Sequence, residues 1–132
     1  MFLLISTEQN THFSIAIGDN FGVQQIKTIN EKYQQSELLL DEIQKLIGDN
    51  TVSGLIVVHG PGAFSALRIG IATANALAYA WQVPVVGVTA DDESKDIESA
   101  MPFLYEEGLL LLKKAKKNKF VTPEYGREPN IT

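Results

Sequence analysis

The chain has 132 residues, 45% of them hydrophobic and 20% charged, and a formal net charge of -5, the composition of one globular domain with a single modest core. The absence of cysteine excludes a disulfide scaffold and a thiolate metal site, and His12 and His59 alone are too few for a histidine metal cluster. The net negative charge opposes binding of a phosphate backbone by bulk electrostatics.

The apolar run at residues 2–5 has no basic residues before it and breaks at Ser6. That is too short for a signal peptide or a membrane span, so a cytoplasmic chain is expected. Residues 2–5 read as a first strand, and the alternation of Phe13, Ile15 and Ile17 as a second. Gly18-Asp19-Asn20 reads as a turn, and residues 21–29 as a third strand with a half-exposed face. From Ser36 the period becomes helical, with Leu39, Leu40, Ile43, Leu46 and Ile47 on one face; Ser36 is placed as N-cap, and Gly48-Asp49-Asn50 stops the run. Residues 55–58 and 83–88 are bare apolar runs, as expected for strands covered on both faces. The proline-free, alanine-rich stretch between them, 63–81, reads as a long helix.

Strand, helix and strand in that order form a βαβ crossover, which makes the last two strands parallel. The order β-β-β-α-β-α-β predicts an α/β chain with a mixed five-stranded sheet, the layout of a ribonuclease H-like, or actin-like (ASKHA), half-domain. A C-terminal helix starting at Pro102 and an extended tail from Thr122 are expected to follow. Gly108 weakens that helix. Lys113, Lys114, Lys116, Lys117 and Lys119 read as its solvated end, which suits the macrodipole, or as an RNA-docking patch.

Gly60-Pro61-Gly62 follows a buried strand and opens a helix, a context in which free backbone N–H groups can hold an anion. The turn has neither the lysine nor the hydroxyl of a P-loop, so a tight structural turn is the simpler reading. Beyond it Ala66, Gly70, Ala74 and Ala78 form a small-residue stripe, while Leu67, Ile71 and Leu77 supply apolar bulk. This predicts a helix with two buried sides, one against the sheet and one against a partner.

Gly60-Pro61-Gly62-Ala63-Phe64-Ser65-Ala66-Leu67-Arg68-Ile69-Gly70 resembles the signature of the TsaB (YeaZ) family, usually G-P-G-S-F-T-G-L-R-I-G. The matching residues are Gly60, Pro61, Gly62, Phe64, Leu67, Arg68, Ile69 and Gly70. Gln35-Ser36-Glu37-Leu38-Leu39 is similar to the family's H-S-E-x-L, residues 83–88 to its I-P-V-V-G-V, and Pro123, Tyr125, Arg127 and Pro129 to its P-x-Y-x-R-x-P ending. Where the family usually has I-D-T-S, this chain has Ile5-Ser6-Thr7-Glu8, without the aspartate that active members of the actin-like superfamily place near metal and phosphate. The resemblance implies one TsaB-like domain over 1–132, with a core half-domain at 1–90 and a second subdomain reduced to 91–132.

It further implies a non-catalytic subunit that binds and activates TsaD in tRNA threonylcarbamoyladenosine (t6A) synthesis at adenosine 37, with a TsaE-like ATPase joining and tRNA reached only through the complex. No catalytic residue, metal or cofactor is then expected on this chain, ATP and metal belonging to its partners. The expected interface residues are Ser36, Leu39, Ile43, Ile47, Leu67, Ile71 and Ala74, and the chain alone could form a homodimer through 36–47 and 63–80. The alternative is an actin-like nucleotide-binding hydrolase or kinase, with the 60–62 turn holding phosphate and Arg68 or Asp91 assisting. A peptidase lacks support, as neither a Ser/His/Asp order nor an H-E-x-x-H pair is present.

Overall fold

Alternating apolar residues at the start of the chain produce a three-strand meander in the computed structural model, which describes residues 1–32, 34–90 and 97–123. β1 (Phe2–Ser6), β2 (Phe13–Asp19) and β3 (Gly22–Ile29) pair antiparallel, with Leu3 opposite Ile17 and Ile5 opposite Ile15. Helix α1 (Gln35–Ile47) follows, then β4 (Gly54–Gly60), α2 (Phe64–Trp81), β5 (Val85–Thr89) and α3 (Ile97–Leu112). β4 pairs parallel with β1 and with β5, giving the order β3-β2-β1-β4-β5. β1 therefore lies at the centre, between an antiparallel arm and a parallel arm.

Successive strand residues point to opposite faces, so each strand feeds two cores. Leu3, Ile5, Phe13, Ile15, Leu55 and Val57 pack with α1 and α2 on one face. Leu4, Ala16, Ile56, Val58 and Val88 pack with Met101, Leu104 and Tyr105 of α3 on the other. The chain is thus three layers deep; β4, covered on both sides, explains the bare apolar run at 55–58, whereas the run at 83–88 forms the edge strand β5, which is only partly buried.

Four local expectations change. Ser36 is not the N-cap: α1 begins at Gln35, capped by Gln34 without a side-chain bond, because Gln35 is buried and its Nε2 donates to the Gln9 carbonyl at 2.7 Å. Pro102 lies inside α3 rather than at its start, since the inward stripe of Met101, Leu104 and Tyr105 begins before it. Gly108 is not a weak point but a contact: a Cβ there would lie 2.5 Å from three Ile56 side-chain atoms, so glycine lets α3 settle on β4. The lysines 113–119 lie beyond the helix end at Leu112 instead of within its last turn.

After α3 the chain runs from one face of the sheet to the other. Val121 exchanges two hydrogen bonds with the Asn75 side chain on α2, at 3.0 and 2.9 Å, and Phe120 stacks at a tilt on Tyr79. Tyr125, Arg127 and Pro129 of the tail resemblance lie outside the described residues.

Candidate functional site

In open α/β sheets, ligands bind beyond the carboxyl ends of the parallel strands, where the strand order reverses. Here that place is formed by the ends of β1, β4 and β5. The chain leaves β1 through Ser6, Thr7 and Glu8, all at most 5% exposed. The Ser6 hydroxyl donates to Glu8 Oε2. Burial pushes the Glu8 carboxyl above its ordinary value of 4.5, against smaller opposing contributions from the Ser6 bond, its own backbone N–H and His12.

The glycine turn closes over this segment. Gly60-Pro61 is a cis peptide bond, and the Gly60 carbonyl accepts Ala90 N–H at 2.8 Å. The Ala63 N–H, at the N-terminus of α2, donates to the Glu8 carbonyl at 2.7 Å. A Cβ on Gly62 would sit 2.4 Å from Glu8 Cβ, and one on Gly70 would sit 2.0 Å from Thr7 Oγ1. At Gly62 the turn, and at Gly70 helix α2, therefore lie directly on the segment after β1. Thr7 Oγ1 is left buried without a hydrogen-bond partner among the described residues.

These residues do not fit a nucleotide phosphate. The space beside the turn holds Glu8, its leading amide is already engaged, and a buried carboxyl would repel an incoming anion. Glu8 is the residue that sequence reasoning missed; the signal was its place directly after a buried strand. His59 bonds through Nε2 to Thr89 Oγ1 at 3.1 Å and its ring packs over Gly87. Asp91 lies outside the described residues. Among the described residues no three His, Asp or Glu side chains come together to hold a metal, and no helix is long and apolar enough to cross a membrane.

Of the residues assigned to a partner interface, Ser36 is exposed and the other six are not. Leu39, Ile43, Ile47, Leu67, Ile71 and Ala74 are all at most 6% exposed and form part of the chain's own core. The stripe of Ala66, Gly70, Ala74 and Ala78 faces inward too. A helix laid on a sheet turns its apolar periodicity toward that sheet, which is why the pattern could not show which side a partner would reach. What α1 and α2 offer outward is Ser36 and Leu40 on the first helix and Arg68, Ala72, Ala76 and Tyr79 on the second. Leu40 is 48% and Tyr79 64% exposed.

A mixed sheet of this order with paired helices over one face defines an actin-like, ribonuclease H-like α/β domain. The family described as TsaD, tRNA N6-adenosine threonylcarbamoyltransferase, matches residues 32–124. A tRNA N6-adenosine threonylcarbamoyltransferase of Geotalea daltonii is 51% identical over 39 residues, covering 30% of this chain and 11% of that protein. One from Clostridioides difficile is 33% identical over 87 residues, or 64% of this chain and 24% of that protein. The YeaZ structure from Pseudomonas aeruginosa superposes with a TM-score of 0.61 at 25% identity, over 67% of this chain and 43% of its own. The chain belongs to the TsaD family, and within it has the fold of the TsaB (YeaZ) proteins. It spans less than half the length of each of these relatives.

Proposed function

We propose that this chain is a non-catalytic, TsaB-type subunit of t6A synthesis, which binds a TsaD-like catalytic subunit through the outer faces of α1 and α2 and favours its active conformation. The observation that carries the reading is the closed glycine turn: in a YeaZ-like fold, the place where a phosphate would rest is filled by Glu8 and its leading amide is taken. A domain with such a site can still act by binding, because a surface with higher affinity for one state of a partner shifts that partner's equilibrium without chemistry of its own.

The outer side of α1 and α2 suits a helical partner. Ala72 and Ala76 are exposed small residues that allow another backbone to approach, and Leu40 on α1 and Tyr79 on α2 supply exposed apolar area. A TsaE-like ATPase would join the pair, with ATP, metal and tRNA engaged by the partners.

The test is co-purification of the chain with the TsaD-like protein of the same cell, followed by t6A formation on tRNA with and without it. Stable co-purification and a stimulated rate are expected. A chain that neither binds the TsaD-like protein nor raises its activity would end the proposal. Similarity to relatives named as tRNA N6-adenosine threonylcarbamoyltransferases favours a second reading, in which the chain itself takes part in catalysis and binds nucleotide. A calorimetric titration with ATP and magnesium separates the two: heat of binding to the isolated chain would favour the second.

A further inference from the structure

Lys113, Lys114, Lys116, Lys117 and Lys119 are five of the chain's 11 lysines and arginines, and no aspartate or glutamate stands between Glu107 and Glu124. Lys116, Lys117 and Lys119 lie too far past the end of α3 at Leu112 to serve its dipole, whose influence fades within the last turn. All five lysines are exposed, and among the described residues none of them joins an ion pair within the chain. The net charge of -5 does not forbid an anion here. At physiological ionic strength charges are screened beyond about 8 Å, so a ligand in contact with this segment responds to its lysines.

The segment is held across the end of α2. Asn118 takes a left-handed φ of 65°, and just beyond it Phe120 packs on Tyr79 and Val121 bonds to Asn75. Lys117 and Trp81 line one groove of about 790 Å³, at the amino ends of β4 and β5 and so at the opposite end of these strands from the glycine turn. Asn50, Thr51, Ser53 and Gln82 add hydrogen-bonding groups to its wall, and no carboxylate lines it. Trp81 is 39% and Phe120 49% exposed, so two aromatic rings are open to solvent next to the lysines. Ammonium groups beside open rings suit an unpaired nucleic-acid strand, whose phosphates meet the charges while its bases stack on the rings. A duplex keeps its bases stacked on one another and has none to offer Trp81. An anionic membrane surface would use the lysines but not a recessed groove. We propose that residues 113–120, with Trp81 and the groove beside it, bind single-stranded nucleic acid, the lysines on phosphates and Trp81 and Phe120 on bases. The inference does not rest on the TsaD-binding reading, which leaves nucleic acid to the partners; it gives the chain a contact of its own.

The experiment is a fluorescence titration of the full chain with an oligouridylate of about twelve nucleotides, within the span of single-strand sites. Oligodeoxythymidylate, a duplex of the same length and phosphatidylserine vesicles form parallel arms, and circular dichroism confirms that each variant is folded. Trp81 is the chain's single tryptophan, so a base stacked on it is read directly as quenched emission. Saturable quenching by a single strand is expected, and the tighter of the RNA and DNA arms identifies the source. The logarithm of the binding constant should fall with that of salt concentration, with a slope of about -0.7 for each phosphate neutralised. Lys116→Gln, Lys117→Gln and Lys119→Gln combined should weaken binding about tenfold or more and flatten that slope. Phe120→Leu should weaken it about fivefold and leave the slope unchanged. Absence of quenching by either single strand would overturn the proposal. So would a duplex that binds as tightly as a single strand, a triple variant that binds like wild type, or vesicles that bind through these lysines while the oligonucleotides do not.

Discussion

Glu8 and Glu42 are two buried carboxylates whose surroundings act on them in opposite directions. Burial raises Glu8 above 4.5 with only partial compensation from Ser6. Its contribution to stability is therefore full below 4.5 and is lost as pH rises through the higher folded value. Glu42 is lowered, first by its bond to Lys27 on β3, so its contribution is present above 4.5 and is lost as pH falls through the depressed value. Glu8→Gln keeps the shape and removes the charge. Chemical denaturation should show it more stable than wild type at pH 7, with the difference shrinking toward pH 4; an unchanged or lower stability at pH 7 would mean that the carboxylate is better solvated than its burial indicates. Glu42→Gln should show the reverse, a loss at pH 7 that fades in acid. Gly62→Ala inserts a methyl against the Glu8 side chain and backbone, and overpacking at such a contact costs about 1–3 kcal/mol, readable as a lowered denaturation midpoint.

At the scale of elements, the number, order and kind of strands and helices were legible because each carries its own period. Phe13, Ile15 and Ile17 alternate, Leu39, Ile43 and Ile47 recur at helical spacing, and the runs at 55–58 and 83–88 lack polar residues altogether. Orientation was less legible. The same periodicity that marks Ile71 as buried does not say whether a sheet or a partner buries it, and the sheet does so, leaving Ile71 3% exposed. Contacts between segments remote in sequence were not legible at all: the Gln35 bond to Gln9 that displaces Ser36 from the cap, the seat of Gly108 on Ile56, and Glu8 beneath Gly62 each depend on a partner that no local pattern announces. The distinction has an experimental consequence. Ile71→Glu would bury an unpaired carboxylate and unfold the chain, at a cost of about 4 kcal/mol or more. Leu40→Glu, on the outer side of α1, should leave the thermal midpoint within a few degrees of wild type while changing what binds there.

For the molecule as a whole, the three-layer arrangement separates two surfaces. The side bearing α1 and α2 is the one proposed to meet a TsaD-like partner, and the side bearing α3 lies opposite it. The Asn75–Val121 clasp joins the two sides by fastening the segment after α3 to α2. Asn75→Ala leaves the Val121 N–H and carbonyl to find water and should cost about 1–3 kcal/mol, with proteolysis of residues 113–123 accelerated. The central claim, that this domain works by binding a catalytic partner rather than by handling nucleotide, is tested most directly by titrating the TsaD-like subunit with wild type, Leu40→Glu and Leu110→Glu in a calorimeter. Wild type and Leu110→Glu should bind alike, and Leu40→Glu should bind at least about tenfold more weakly. Absence of binding by the wild-type chain, or equal binding by all three, would contradict it.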